Sequence, residues 1–86
     1  MNFRATVRQS EDITVGDVEG RIAVNEGTAL GQTLRDLVKK GHKKIVLNLR
    51  RVKHLDSSGI GELVKSYKFA KKHGGELKTI HLTPRV

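Results

Sequence analysis

A nearly unbroken apolar run, Ile45-Val46-Leu47-Asn48-Leu49, constrains the fold of this chain more than any other feature. Runs of this kind are typical of a central strand that is covered on both faces, and such strands usually belong to a parallel sheet. Parallel neighbours must be joined by crossover connections, which are most often helices. The run therefore predicts an α/β fold if helical patterns lie on both sides of it.

A helical pattern precedes the run. Its apolar residues recur at the spacing of one helix face, at Leu30, Leu34, Leu37 and Val38. Asn25-Glu26-Gly27 predicts a break in the chain before this helix, and Thr28 is its expected N-cap. Lys39 and Lys40 fall in the last turn, where cations are favourable to the helix dipole, and Gly41 suits the left-handed residue that ends a helix.

A second helical pattern follows the run, from about Ser58 to His73, and Gly74-Gly75 ends it. Its apolar stripe consists of Ile60, Leu63, Val64, Tyr67 and Ala70. The segment Arg50 to Leu55 is expected to link the apolar strand to this helix.

The remaining strands are predicted by alternation of apolar and polar residues. Residues 3–18 are interpreted as a hairpin, Glu19 to Ile22 continues extended, and Leu77, Ile80 and Leu82 form one more strand. The order is therefore β-β-α-β-α-β, which predicts a small α/β domain with a mixed sheet, a parallel centre and helices packed on it. We interpret residues 1–86 as a single domain.

The last residues suggest that this domain is short at its C-terminus. Thr83-Pro84 has the character of a helix opening, with threonine as N-cap and proline in the first turn. The chain nevertheless stops two residues later, at Val86. We expect the next helix to be cut away or supplied by another chain.

Composition narrows the classes of function. The absence of cysteine excludes disulfides, thiolate catalysis and cysteine-ligated metals. No apolar run approaches the roughly 20 residues of a membrane span, and no signal segment is present, so we expect a soluble cytoplasmic protein without a membrane partner. The net charge of +8 is uneven: residues 1–34 carry three cations and five carboxylates, and residues 35–86 carry fourteen cations and four carboxylates.

The segment Asp56-Ser57-Ser58-Gly59-Ile60-Gly61 is the strongest candidate for a functional site. It places serines at the start of the second helix, where unpaired N–H groups and the helix dipole favour a phosphate. The crossover also brings them to the carboxyl ends of the strands, where open α/β sheets bind their ligands. The pattern predicts a serine that is modified, bound or recognised.

A purely structural interpretation is also available, because Asp and Ser are ordinary helix caps and Gly is ordinary near turns. Two glycines in one first turn argue against it, since each weakens a helix by about 1 kcal/mol. Gly59 and Gly61 instead leave the backbone open to the close approach of another protein or of a phosphate.

Three segments together resemble the STAS domain, which occurs in sulfate transporters and in bacterial anti-sigma-factor antagonists. They are the apolar run 45–49, Asp56-Ser57-Ser58-Gly59-Ile60-Gly61-Glu62-Leu63, which carries the element D-S-[ST]-G-[LI]-G, and Gly74-Gly75-Glu76-Leu77. The resemblance covers essentially the whole chain, with the hairpin, Gly20, the first helix and Thr83-Pro84 in register.

The resemblance implies a partner-switching role in transcription regulation. In the family, the serine directly after the aspartate is phosphorylated by an anti-sigma factor that is also a serine kinase, and this position is Ser57 here. Unphosphorylated, the antagonist binds the anti-sigma factor and frees the sigma factor; phosphorylated, it dissociates, and a phosphatase resets it. Asp56, Ser58, Gly59, Ile60 and Gly61 would form the recognition surface. The chain needs no cofactor of its own, because ATP would belong to the kinase.

Two departures from the family pattern bear on the partner. Gly20-Arg21-Ile22-Ala23 stands where members commonly carry G-E-[LI]-D, so both acids are replaced and a differently charged regulator becomes an alternative partner. Family domains also continue beyond the T-P element with further helices and a strand. Without them, a flank of the sheet would be uncovered and open to homo-oligomerisation.

Other classes of function have weaker support. His42, His54, His73 and His81 lack the spacing of a metal site, and no G-x-S-x-G elbow accompanies the serines, so we expect neither a metal nor an enzyme. One alternative is an oligomerising STAS scaffold that is never phosphorylated. Another is a basic nucleic-acid-binding domain that uses Arg50, Arg51, Lys53 and the Lys65–Lys72 helix face, although it would lack aromatic stacking residues.

Overall fold

Two crossover connections organise the fold. A computed structural model describes residues 3–22 and 24–81. Its elements, in chain order, are β1 (Phe3–Ser10), β2 (Ile13–Ile22), α1 (Val24–Lys39), β3 (Lys44–Leu55), α2 (Ser57–Lys72) and β4 (Glu76–Ile80). The predicted α/β class and the order β-β-α-β-α-β are confirmed.

The four strands form one mixed sheet in the order β1-β2-β3-β4. β1 and β2 are antiparallel and make the predicted hairpin, with Glu11 at a positive φ of 56° in its turn. β3 pairs in parallel with both β2 and β4. Both crossovers step across the sheet in the same direction, and right-handed connections then place both helices on one face.

The core lies between this face and the helices. Its buried side chains include Val18 and Ile22 from β2, Leu30 and Leu34 from α1, Ala70 from α2, Leu77 from β4, and Ile45, Leu47, Leu49, Val52 and Leu55 from β3. On the opposite face, Val46 and Asn48 are only half-buried. The prediction that the central strand is covered on both faces is therefore wrong, because both helices pack on the same side.

β3 is longer than predicted. The segment 50–55, expected to be a link, continues the strand to Leu55. Every second residue of β3 is buried up to Leu49, and every third residue is buried after it. Residues 50–55 therefore lack the alternation of apolar and polar residues that predicts a strand. The register shifts that accompany the change lie between Asp17 and Glu19 and between Gly20 and Arg21 of β2. Irregularities of this kind bend a strand and redirect its side chains.

α1 begins earlier than predicted, at Val24, so Thr28 lies inside the helix and is not its N-cap. Gly27 belongs to the helix because α1 and α2 approach closely there: a Cβ on Gly27 would lie 3.1 Å from the Cα of Gly59. The end of the helix agrees with the prediction. Gly41 adopts a positive φ of 97°, and its N–H donates to the carbonyl of Val38 at 3.0 Å.

The apolar stripe of α2 is only partly buried, which differs from the prediction. Ala70 is buried and Leu63 half-buried, but Ile60, Val64 and Tyr67 expose 37%, 47% and 46% of their surfaces. These three line an apolar groove of about 350 Å³ together with Leu55, Leu63, Leu77 and Thr79. The groove lies beside β4, the edge strand of the sheet. No further strand lies beyond β4 in the described residues to cover the rest of the apolar stripe.

Three predictions fall outside the described residues. The expected strand residue Leu82 and the Thr83-Pro84 helix opening lie beyond residue 81, and the replaced position Ala23 lies between the two described ranges. β4 itself ends at Ile80. Among the helices that the structure describes, neither is long and apolar enough to cross a membrane.

Candidate functional site

Asp56 sets the geometry of the candidate site. It is the only residue between β3 and α2, its backbone is extended, and its side-chain Oδ1 accepts a hydrogen bond from the N–H of Gly59 at 2.9 Å. Its own N–H donates to the carbonyl of Ile22 at 3.3 Å, and its carbonyl accepts from Ile60 at 3.0 Å. Asp56 is therefore the N-cap of α2, and it holds this helix start against the carboxyl end of β2.

Ser57 and Ser58 are the first two helical residues, and both are exposed. Their N–H groups precede the first intrahelical hydrogen bond, which is donated by Ile60. Neither hydroxyl has a hydrogen-bond partner within the described part of the chain. Apart from the N-cap carboxylate of Asp56, the first turn carries no acidic side chain.

The two glycines of the turn have different environments. Gly59 is buried, and a Cβ there would lie 2.5 Å from Leu55 Cδ1 and 3.1 Å from both Cγ2 and the carbonyl oxygen of Ile22. Gly61 would place a Cβ in open space, with nothing within 4 Å. Gly59 therefore allows the start of α2 to pack closely on Leu55 and Ile22. Of the two, only Gly61 leaves the backbone open as the sequence predicted.

An ion pair joins α2 to α1 close to the serine turn. Glu62 of α2 exposes only 18% of its side chain and forms an ion pair with Arg35 of α1 at 3.8 Å. It lies over Gly31, where a Cβ would be 2.6 Å from its carboxylate. Sequence reasoning did not find this contact, because the glycine and the glutamate are on different helices.

The carboxyl ends of β2 and β3 meet beside the serines. Ile22 pairs with Leu55 and Arg21 pairs with His54, so an exposed arginine lies next to an exposed imidazole one residue before the end of the sheet. On the same strands, a groove of about 660 Å³ is lined by Glu19, Gly20, Arg21, Arg50, Arg51, Val52 and Lys53. Sequence reasoning noticed these cations of β3 but not their proximity to Arg21, because it treated 50–55 as a link.

The open face of the sheet carries a separate set of ion pairs. Arg8 Nε donates to Asp17 Oδ2 at 2.6 Å, and Asn48 donates to the same carboxylate at 3.0 Å. These hydrogen bonds, that of Arg8 first, lower the pKa of Asp17 below its usual value of 3.8. Arg4 pairs with Glu19 at 3.6 Å in the same row.

The chemistry available at the turn is that of binding and modification. Within residues 3–22 and 24–81, no imidazole or carboxylate side chain hydrogen-bonds to either serine. The same residues contain no group of three or more His, Asp or Glu that could hold a metal ion. An exposed hydroxyl at a helix start, beside an exposed isoleucine, is suited to contact with another protein and to carrying a phosphate.

These features define a small α/β domain with a capped helix start at the carboxyl edge of a mixed sheet. The chain belongs to the STAS domain family, whose model matches residues 4–86. It is 33% identical over 86 residues to the anti-sigma-B factor antagonist of Bacillus subtilis. The alignment covers 100% of this chain and 78% of the relative. The chain is therefore an STAS domain of the anti-sigma-factor-antagonist type.

Solved structures share the fold. An anti-sigma factor antagonist from Mycobacterium paratuberculosis superposes with a TM-score of 0.84 at 24% identity, over 98% of this chain and 71% of that one. The Bacillus protein SpoIIAA matches in its unphosphorylated form with a TM-score of 0.78 at 16% identity, over 94% of this chain and 76% of its own. Its phosphorylated form matches with a TM-score of 0.73 at 18% identity, over 94% of this chain and 75% of that one.

The fold also occurs inside longer chains. The structure of Mglu contains it with a TM-score of 0.81 and 22% identity, over 94% of this chain and only 20% of that one. At these identities the solved structures establish the fold alone.

Proposed function

We propose that this domain binds an anti-sigma factor through residues 56–61 while Ser57 is unphosphorylated, and that phosphorylation of Ser57 ends the interaction. Binding would free the sigma factor, the anti-sigma factor would also be the kinase, and a phosphatase would reset the switch. The observation that carries the proposal is the placement of Ser57, an exposed hydroxyl without a partner among the described residues, at the start of a capped helix.

The helix start explains how the domain tolerates the phosphate. The N–H groups of Ser57 and Ser58 have no intrahelical acceptor, and the helix dipole favours negative charge at this end. A phosphate adds a charge of about −1.5 to −2 and three acceptor oxygens. The modified domain therefore keeps its fold, because its own backbone can solvate the new group.

The same charge explains why the partner would dissociate. Ser57 adjoins the carboxylate of Asp56, and Ile60 exposes 37% of its surface one turn further along the helix. A partner that covers Ile60 must remove water from the neighbouring serines, and burying a phosphate dianion beside a carboxylate is unfavourable. The switch would then operate by local electrostatics, without a change of fold.

The names of related proteins support this proposal. The Bacillus subtilis relative is named as an antagonist of an anti-sigma-B factor, and SpoIIAA is known in an unphosphorylated and in a phosphorylated form. Both serines of the turn are exposed, and the family resemblance selects Ser57, which directly follows the aspartate.

The experiment is phosphorylation by the cognate anti-sigma factor with ATP, followed by intact-mass measurement. We expect the wild type and Ser58→Ala to gain one phosphate and Ser57→Ala to gain none. Ser58→Ala is a matched control because it changes the neighbouring exposed hydroxyl of the same turn. Labelling of Ser57→Ala, or no labelling of the wild type, would contradict the proposal.

A scaffold role is the second candidate, and the apolar groove beside β4 favours it. Ile60, Val64 and Tyr67 leave enough apolar surface on α2 for contact with a second copy. In this case light scattering would find a stable oligomer that Val64→Lys disrupts, and Ser57 would remain unmodified in the phosphorylation assay. A monomer would exclude the scaffold role.

A further inference from the structure

The cationic groove at the ends of β2 and β3 is a second surface, distinct from the serine turn. It is lined by four cations, Arg21, Arg50, Arg51 and Lys53, and by one carboxylate, Glu19. All four cations are exposed, whereas Glu19 is half-buried and already paired with Arg4. The groove therefore presents an excess of positive charge to solvent.

Three of these cations lack the structural explanations that apply to several other basic residues. Lys39, Lys71 and Lys72 lie in last turns of helices, where they interact favourably with the dipole. Arg51 is close enough to Asp17 to help lower the pKa of that carboxyl. Arg21, Arg50 and Lys53 lie on strands, and within the described residues no carboxylate comes within 4.0 Å of them. Like charges gathered without counter-charges cost stability, which suggests that an anionic ligand compensates for them.

The irregular strand register creates the groove. The shift between Gly20 and Arg21 accompanies a positive φ of 104° at Gly20, and it pairs Arg21 with His54. In β3 the burial interval of three residues exposes Arg50 and Arg51 consecutively. A regular strand would alternate these side chains between the two faces, so the bulged register is what brings them together.

We propose that this groove binds an acidic segment of the protein partner that engages the Ser57 turn. The inference rests on the proposed function, and it adds the chemistry of the partner. The groove neighbours the turn along β2, since Arg21 adjoins Ile22, whose carbonyl accepts a hydrogen bond from the N–H of Asp56. A partner that covers the turn can reach the cations without a second docking event, and charge complementarity would fix its orientation.

The lining of the groove favours an acidic protein segment over a nucleic acid. None of its seven lining residues is aromatic, so bases would have no stacking platform. Its volume of about 660 Å³ suits a few carboxylate side chains rather than a duplex.

The test uses fluorescence anisotropy with two probes, a labelled oligoglutamate peptide and a labelled single-stranded oligonucleotide of equal charge. The charge-reversed variant is Arg21→Glu with Arg50→Glu, and Lys68→Glu with Lys72→Glu is the matched control, since these lysines are exposed and outside the groove. Arg21→Gln with Arg50→Gln provides a milder change, and circular dichroism verifies that each variant is folded.

We expect the peptide to bind the wild type with an affinity that falls as salt is raised. The reversed variant should bind at least about tenfold more weakly, the glutamine variant should be intermediate, and the control should resemble the wild type. No peptide binding, or an equal loss in the control, would overturn the proposal. Tighter binding of the oligonucleotide through the same arginines would overturn it in favour of a nucleic-acid site.

This test needs no anti-sigma factor, so its failure is distinguishable from failure of the proposed function. If Ser57 is phosphorylated but the peptide does not bind, only the acidic-segment inference is lost. If the peptide binds through the groove but no kinase labels Ser57, the groove is real and the phosphorylation switch is wrong.

Discussion

Alanine substitution at Gly59 and at Gly61 separates the two roles that a glycine can have in the candidate site. Both residues lie in the first turn of α2 and neither has a positive φ, so alanine fits both backbones. In the interior of a helix, replacing glycine with alanine is favourable by up to about 1 kcal/mol. The surroundings of the new methyl group decide whether this gain is kept.

At Gly59 the surroundings leave no room for the methyl group. Its Cβ would lie 2.5 Å from Leu55 Cδ1, a side chain that can move, and 3.1 Å from the carbonyl oxygen of Ile22, a backbone atom that cannot move freely. Overpacking of this kind costs about 1–3 kcal/mol, and the gain in helix propensity of up to about 1 kcal/mol leaves a net loss of up to about 2 kcal/mol at Gly59. At Gly61 nothing lies within 4 Å, and the net change is a gain of about 0.5–1 kcal/mol.

The assay is urea unfolding followed by circular dichroism, with thermal unfolding as a second measure. In a domain of this size, 1 kcal/mol corresponds to a change in Tm of about 4–8 °C. Gly59→Ala should therefore unfold at a lower temperature than the wild type, and Gly61→Ala at a higher one. Equal effects of the two substitutions, or a stabilising Gly59→Ala, would refute the packing argument.

Three further predictions concern the cap, an ion pair and a turn. Asp56→Ala should destabilise the domain by about 1 kcal/mol in urea unfolding, because the Gly59 N–H loses its acceptor, and Asp56→Ser should restore most of the loss. The pKa of Asp17 is lowered in the folded state, so its stabilising effect is present above about pH 4 and is lost as pH falls; Asp17→Asn should flatten this acid limb in pH-dependent unfolding. Gly41→Ala should cost about 1 kcal/mol because of the positive φ of 97°, with Asn tolerated better.

The order of elements could be predicted because each one carries a strong local signal. The apolar run in β3 and the alternation in the hairpin depend only on neighbouring residues, and the structure has both where they were expected. The structural alternative for the aspartate, that of an ordinary helix cap, is correct for Asp56, because an acidic residue before a helical stripe is a local pattern.

The errors arose where contacts between distant elements override local signals. Gly27 was interpreted as part of a break, but it lies within α1 because the backbone of Gly59 approaches it. Residues 50–55 lack a period of two, but β3 stays paired with β2 by carrying one extra residue at each of the two register shifts. The extent to which Val64 and Tyr67 are exposed depends on where the sheet ends, which no local pattern encodes.

In the candidate site, too, local features could be predicted and contacts between distant elements could not. The start of α2 at the serines could be predicted from sequence, because the cap and the first helical residues are adjacent in the chain. The role of Ser57 as phospho-acceptor stays a prediction. The internal packing role of Gly59 and the association of Arg21 with the cations of β3 required the register between strands and the packing beneath the helix.

The most direct test of the switch is a calorimetric titration of the cognate anti-sigma factor with this domain before and after stoichiometric phosphorylation of Ser57. The account predicts a tight complex with the unphosphorylated domain and an affinity at least about tenfold lower after phosphorylation, equivalent to about 1.4 kcal/mol or more. It also predicts unchanged circular dichroism, because the helix start accommodates the phosphate. Equal affinities for the two forms would contradict the account.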